Sequence, residues 1–133
     1  MTKEELCQKA QEMTKMAYAP YSNFRVGAAL ECTDGTVFTG CNIENAAYSP
    51  TNCAERTAVF KAVSEGYRSF TRIAIAGETE QFCAPCGVCR QVLQEFAPDI
   101  EVILVNKNGE TVELTLPQLF PYSFGSANLT EGE

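Results

Sequence analysis

The chain contains no histidine. That absence removes Ser-His and Cys-His nucleophilic pairs, histidine-ligated zinc and any histidine general base. Chemistry must then rest on Cys, Glu, Asp, Tyr, Lys or Arg. Cations are also scarce: 10 Lys and Arg stand against 17 Asp and Glu, for a net charge of -7, and there is no basic run. Binding a phosphate backbone needs clustered cations, so a polynucleotide is disfavoured as the main ligand. A free nucleoside, which carries no phosphate, is not. No apolar stretch is long enough to span a membrane. The charged, helical-looking amino end predicts no secretory signal, and with it a reducing, cytoplasmic setting.

What is present suits one folded unit. A length of 133 residues, 45% of them apolar, predicts a single domain over residues 1–133 with one core. Seven cysteines is an odd number, so at least one stays unpaired. In a reducing compartment such a pattern points to metal or catalysis before disulfides.

Thr2-Lys3-Glu4-Glu5 fits a capping box, followed by Leu6, Ala10, Met13 and Ala17 at helical spacing until Pro20 stops the helix. Tyr21 to Asn23 reads as a turn. Phe24 to Cys32 alternates, with Arg25 and Glu31 opposite the apolar set, and Asp34-Gly35 turns it into a second strand over 36–41. Residues 42–51 form a polar loop. Asn52 can cap a helix from Cys53 to Glu65, which Gly66 ends and along which Ala54, Ala58 and Ala62 make a stripe for close packing on a sheet. A strand over 72–76, a helix from Cys86 to Phe96 and two antiparallel strands over 102–105 and 111–114 follow. Leu116 to Phe120 allows a helical turn, residues 121–129 read as irregular, and 130–133 as a polar tail. The order predicts an α/β fold: a mixed five-stranded sheet with helices on its faces.

The chemistry concentrates at two helix starts. Cys86 and Cys89 are three apart in a first turn and share a face; Cys53 begins the other helix. If the strands before these helices are parallel neighbours, both starts meet at one sheet edge, where open α/β sheets place their sites. The partial positive charge of a helix start favours thiolate. Three thiolates would hold one zinc ion and leave a fourth position open for water. Glu55 is placed to carry protons, and also fits a helix-start cap. Arg56 is placed to donate hydrogen bonds to the sulfurs and offset their charge; a solvent-facing arginine fits the spacing equally well. Cys83 could close the set into a structural four-sulfur site, but Ala84-Pro85 favours an extended backbone that takes it off the helix face. Cys86-Gly87-Val88-Cys89 alone would also suit a redox pair.

Cys-Ala-Glu-Arg-Thr-Ala (53–58) with Pro-Cys-Gly-Val-Cys-Arg-Gln (85–91) resembles the zinc-dependent cytidine deaminases, in their short homotetrameric form with cysteine in place of the histidine ligand. Tyr18 to Ser22, Phe24, Val26 to Ala29, Gly40 to Tyr48 and the late Phe124 extend the resemblance over nearly the whole chain. It implies a cytidine deaminase-like three-layer α/β/α fold and hydrolytic deamination of cytidine and deoxycytidine by a zinc-bound hydroxide, in pyrimidine salvage. It also implies one Zn2+ per subunit on Cys53, Cys86 and Cys89, with Glu55 as proton shuttle and Arg56 behind the ligands. Phe24, Asn42, Glu44 and Ala54 would meet the nucleoside. Ala46, Tyr48 and Phe124 would reach it from neighbouring subunits of a homotetramer. A blasticidin S deaminase-like enzyme on the same fold is the nearest alternative; the run from Asn42 to Tyr48 favours cytidine.

Overall fold

A computed structural model describes residues 1–130; of the expected polar tail, residues 131–133 lie outside them. Helix α1 (Lys3–Met13) opens with the expected box: Glu5 N donates to Thr2 Oγ1 at 3.1 Å and Thr2 N to Glu5 Oε1 at 3.2 Å. It stops short of Ala17. The Thr14 hydroxyl donates to the Gln11 carbonyl at 2.7 Å, and such side-chain competition tightens a helix end. Residues Thr14–Met16 form a 3-10 turn and Ala17 is extended.

The sheet contains β1 (Val26–Cys32), β2 (Val37–Cys41), β3 (Phe70–Gly77), β4 (Glu101–Val105) and β5 (Thr111–Thr115) in the order β2-β1-β3-β4-β5. Only the β3–β4 pairing is parallel. On one face, Leu6, Cys7 and Ala10 of α1 cover Ala29, Ala74 and Ile103. On the other, α2 (Ala54–Ser64) and α3 (Gly87–Phe96) bury Val59 and Leu93 against Leu30, Ile73 and Val102. Helices on both sides make the three-layer α/β/α arrangement. They also change the reading of β1, whose alternation suggests a solvent face. Every residue of β1 is buried, and Glu31 lies inside, paired to Arg72 of the neighbouring strand at 2.8 and 3.2 Å.

The Ala54-Ala58-Ala62 stripe is fully buried and seats α2 close to β2. Gly40 makes the approach possible: a Cβ there would meet the Ala54 carbonyl oxygen at 2.4 Å and the Ala58 nitrogen at 2.6 Å. Gly66 ends the helix as expected, with φ +96° and Tyr67 N donating to Ala62 O at 3.0 Å. After β5 come two short helices, α4 (Leu116–Leu119) and α5 (Ser126–Thr130). The second lies where the sequence suggests irregular chain.

The strands that feed α2 and α3 are β2 and β3. The expected meeting of both helix starts at one edge takes these strands as neighbours; they are not, since β1 lies between them. Each is antiparallel to β1, so β2 and β3 run the same way and both helices begin at the same sheet edge.

Candidate active site

Cys53 is the residue that caps α2, with φ -77° and ψ 158°, and Cys86 holds the same place on α3, with φ -67° and ψ 170°. Neither side chain bonds its helix. Asn52, the expected cap, instead donates from Nδ2 to Thr57 Oγ1 at 3.2 Å. Thr57 Oγ1 lies 3.0 Å from the Cys41 carbonyl oxygen and 3.1 Å from that of Cys53, tying the end of β2 to the start of α2. The box that would have given Glu55 a capping role is therefore not formed.

The sulfur of Cys53 stands 3.8 Å from that of Cys86, which stands 3.5 Å from that of Cys89. All three lie within 4.8 Å of one another. Sulfurs at ~2.3 Å from one tetrahedral zinc stand about 3.8 Å apart, so the donor set fits that ion by both chemistry and spacing. Cys83 is not in this cluster among the described residues, which leaves three sulfurs in place of a closed four. A third sulfur also separates the site from a bare two-cysteine redox pair.

Arg56 turns inward. Its Nη2 donates to Cys53 Sγ at 3.2 Å, while its buried Nε has no hydrogen-bond partner among the described residues. Hydrogen bonds from Cys89 and Arg56 hold the Cys53 thiol down at about 5; sharing a proton with Cys53 pushes Cys89 up. Glu55 is 4% exposed. Burial raises its carboxyl to about 7, with Cys53 adding to the rise, against its own backbone amide, Cys89 and Arg56. A carboxyl near neutrality is suited to both taking and giving a proton.

Cys53, Glu55 and Cys86 open onto a cavity of about 250 Å³ that Phe24, Asn42, Glu44 and Ala54 also border. The polar side chains of Asn42 and Glu44 at its border are held by backbone. Asn42 Oδ1 accepts from Val26 N at 2.9 Å and its Nδ2 donates to Phe24 O at 2.7 Å. Glu44 Oε1 accepts from Tyr21 N at 2.9 Å and Ser22 N at 3.1 Å. Ala46, Tyr48 and Phe124 do not line this cavity; all three are exposed.

Residues 1–106 match the family model described as "Cytidine and deoxycytidylate deaminase zinc-binding region". The chain belongs to the cytidine and deoxycytidylate deaminase family. It is 50% identical over 131 residues to a cytidine deaminase of Sporosarcina psychrophila, covering 98% of this chain and 96% of that protein. It is 46% identical over 132 residues to one of Halalkalibacterium halodurans, covering 98% and 100%. The fold superposes on a crystal structure of cytidine deaminase from Burkholderia pseudomallei with a TM-score of 0.90 at 50% identity, covering 93% of this chain and 100% of that one.

The structure of this deaminase domain also links to the site residues whose contacts sequence reading does not find. Ser22 appears there as a turn residue and Thr57 as one more helical position, both inside the runs that carry the resemblance but with no role of their own. What distinguishes them is a hydrogen bond to residues about 20 positions away or across an element boundary, which periodicity does not register. Cys83 borders the cavity without joining the sulfurs, and burial pushes its thiol up to about 11.

Proposed function

We propose that the chain is a single catalytic domain over residues 1–133 that hydrolyses the exocyclic C–N bond of free cytidine and deoxycytidine, giving uridine and deoxyuridine and releasing ammonia. The observation that carries this reading is the trio of sulfurs at bonding distance for one ion, with a buried carboxyl beside them at the mouth of a cavity. Cys53, Cys86 and Cys89 would hold one zinc per subunit. Zinc bound there supplies an acidified water as nucleophile near neutral pH.

Glu55 takes a proton from the attacking water and passes it to ring N3 as water adds at C4. It then takes the remaining proton from the C4 hydroxyl and gives it to the exocyclic amino group, so that the C4 carbonyl forms as the C–N bond breaks and ammonia leaves. Arg56 offsets the charge of the thiolates. Asn42 keeps one N–H and one lone pair beyond its bonds to Phe24 and Val26, enough to meet a sugar hydroxyl as donor or acceptor. Glu44 meets another as acceptor. The Ala54 backbone meets the pyrimidine edge, and Phe24 flanks base and sugar.

The cavity of about 250 Å³ falls below the ~300–1,000 Å³ of a complete ligand site. Tyr48 is 74% exposed and Phe124 55% exposed. In a homotetramer these two and Ala46 complete a neighbour's site, and their apolar surface is covered. All seven cysteines are free, as suits the cytoplasm, where the products feed pyrimidine salvage. The test is the fall in ultraviolet absorbance on incubation with cytidine, with and without a zinc chelator, beside light scattering for the tetramer. Turnover of blasticidin S in place of cytidine would overturn the substrate assignment.

A further inference from the structure

We propose that Ser22 is a positioning residue for sugar recognition: its hydroxyl fixes the Glu44 carboxylate so that a single acceptor site faces the nucleoside. The proposal rests on the reading of Glu44 as an acceptor for a sugar hydroxyl.

The argument is a count of lone pairs. An ionised carboxylate offers about four acceptor sites, two on each oxygen. On Glu44, Oε1 is filled by the backbone N–H groups of Tyr21 and Ser22 at 2.9 and 3.1 Å. Oε2 accepts from the Ser22 hydroxyl. One site on Oε2 is left. The carboxylate is thereby clamped from both oxygens, although its terminal torsion is intrinsically broad. The Ser22 hydroxyl is also the largest of the interactions that hold the Glu44 carboxyl below its usual range.

The same Ser22 oxygen accepts from Phe24 N at 3.0 Å, and Ser22, Phe24, Asn42 and Glu44 border one cavity. Ser22 thus joins the sugar-facing carboxylate to the backbone of the residue that flanks the base. The turn that presents it includes Asn23 at φ 57°, a left-handed conformation that asparagine tolerates better than most residues.

The two links make different predictions for the substrate. If Ser22 acts through Glu44 on the hydroxyls of the sugar ring, its loss matters only when the substrate carries a 2′ or 3′ hydroxyl. If it acts by holding Phe24, every nucleoside suffers alike. The experiment compares cytidine with 2′,3′-dideoxycytidine on the zinc-loaded full chain, for wild type, Ser22→Ala, Ser22→Thr, Glu44→Ala and the double variant Ser22→Ala with Glu44→Ala. Loss of one charge-assisted hydrogen bond should raise KM for cytidine by about tenfold in Ser22→Ala. The same variant should keep kcat within about twofold and move KM for dideoxycytidine by less than about twofold. Ser22→Thr, which keeps the hydroxyl, should stay near wild type. With Glu44 already removed, Ser22→Ala should add nothing.

An equal KM rise for both nucleosides, or the same extra loss in the absence of Glu44, overturns the proposal. So does an unchanged KM for cytidine in Ser22→Ala while Glu44→Ala raises it. If Glu44→Ala leaves KM for cytidine unchanged, the sugar role of Glu44 falls and takes this proposal with it. A wild-type chain that does not deaminate cytidine overturns the functional reading itself.

Discussion

Replacing Gly40 with alanine tests whether the seat of α2 on β2 sets the geometry of the metal site. A Cβ on residue 40 would lie 2.4 Å from the Ala54 carbonyl oxygen and 2.6 Å from the Ala58 nitrogen. Both are backbone atoms that no rotamer change can move, and comfortable contact is about 3.5 Å. The first turn of α2 must therefore withdraw by about 1 Å. That turn carries Glu55 and is preceded by Cys53, whereas Cys86 and Cys89 belong to α3. Metal–ligand distances tolerate only about ±0.2 Å, and a displacement of about 1 Å at a reacting centre can cost ~100-fold in rate.

Three outcomes are expected of Gly40→Ala: a stability loss of about 1–3 kcal/mol from overpacking, weaker zinc retention, and turnover down by at least ~100-fold. Gly66→Ala is the control. Nothing lies within 4 Å of its added Cβ, but its φ of +96° strains any side chain, at a cost of about 1–2 kcal/mol. It sits at the far end of α2 from the sulfurs, so it should lose comparable stability and keep zinc and activity. Urea denaturation, zinc per chain after gel filtration and the cytidine absorbance assay read the three quantities. If Gly40→Ala retains zinc and turnover as well as Gly66→Ala does, the coupling of helix seat to metal geometry is wrong.

Glu55→Gln preserves shape but cannot shuttle protons; it should keep zinc and oligomeric state while kcat falls by ~10⁴ or more, since each transfer contributes roughly 10²–10⁴, as stopped assays over hours would measure. Arg72→Met strands Glu31, which is 8% exposed, and should lower stability by about 3 kcal/mol in urea, most of it restored by adding Glu31→Leu. In chelator-treated protein, Cys53 should be the thiol that iodoacetamide modifies first, at a rate nearly flat from pH 6 to 8, because its thiol is held at about 5. An ordinary thiol would gain about tenfold per pH unit over that range. Cys83, at about 11, should stay unmodified, and mass spectrometry of tryptic peptides reads both.

Much of the fold is readable in the chain because its signals are local. The Thr2–Glu5 box, the 54-58-62 alanine stripe, Gly66 and the turn at 34–35 each specify their own neighbourhood, and the elements form there. What escapes is what depends on a partner element. Glu31 looks solvent-facing by alternation and is buried only because α1 covers that side of β1 and Arg72 stands opposite. Asn52 has the right residue type for a cap, yet Thr57 captures its amide. Gly40 carries no conformational signature of its own; the helix that needs its missing side chain lies 14 residues later at Ala54. At the site, the thiol spacing within 86–89 is visible as a pattern. That Arg56 faces Cys53 and not solvent requires knowing which side of α2 meets the sulfurs.

Sheet order explains why the sulfurs meet at all. Because β1 pairs antiparallel with both β2 and β3, those two strands point the same way although a third separates them. Each leads into a helix on the same face, so α2 and α3 start side by side, one strand-width further apart than adjacent parallel strands would place them. Cys53 and Cys86 both sit at the capping position, where the side chain projects over the first amides. Serine or aspartate there would bond the amides. Cysteine does not, and neither helix has a side-chain cap. The positive ends of two helices are thus left to favour thiolate, and Arg56 adds its charge from within the first turn. A Cys53→Ser variant sharpens the point. Its hydroxyl should cap α2 and raise stability in chelator by about 0.5–1 kcal/mol, while zinc retention and turnover collapse. Unchanged stability would show that the helix start does not need the cap that cysteine forgoes.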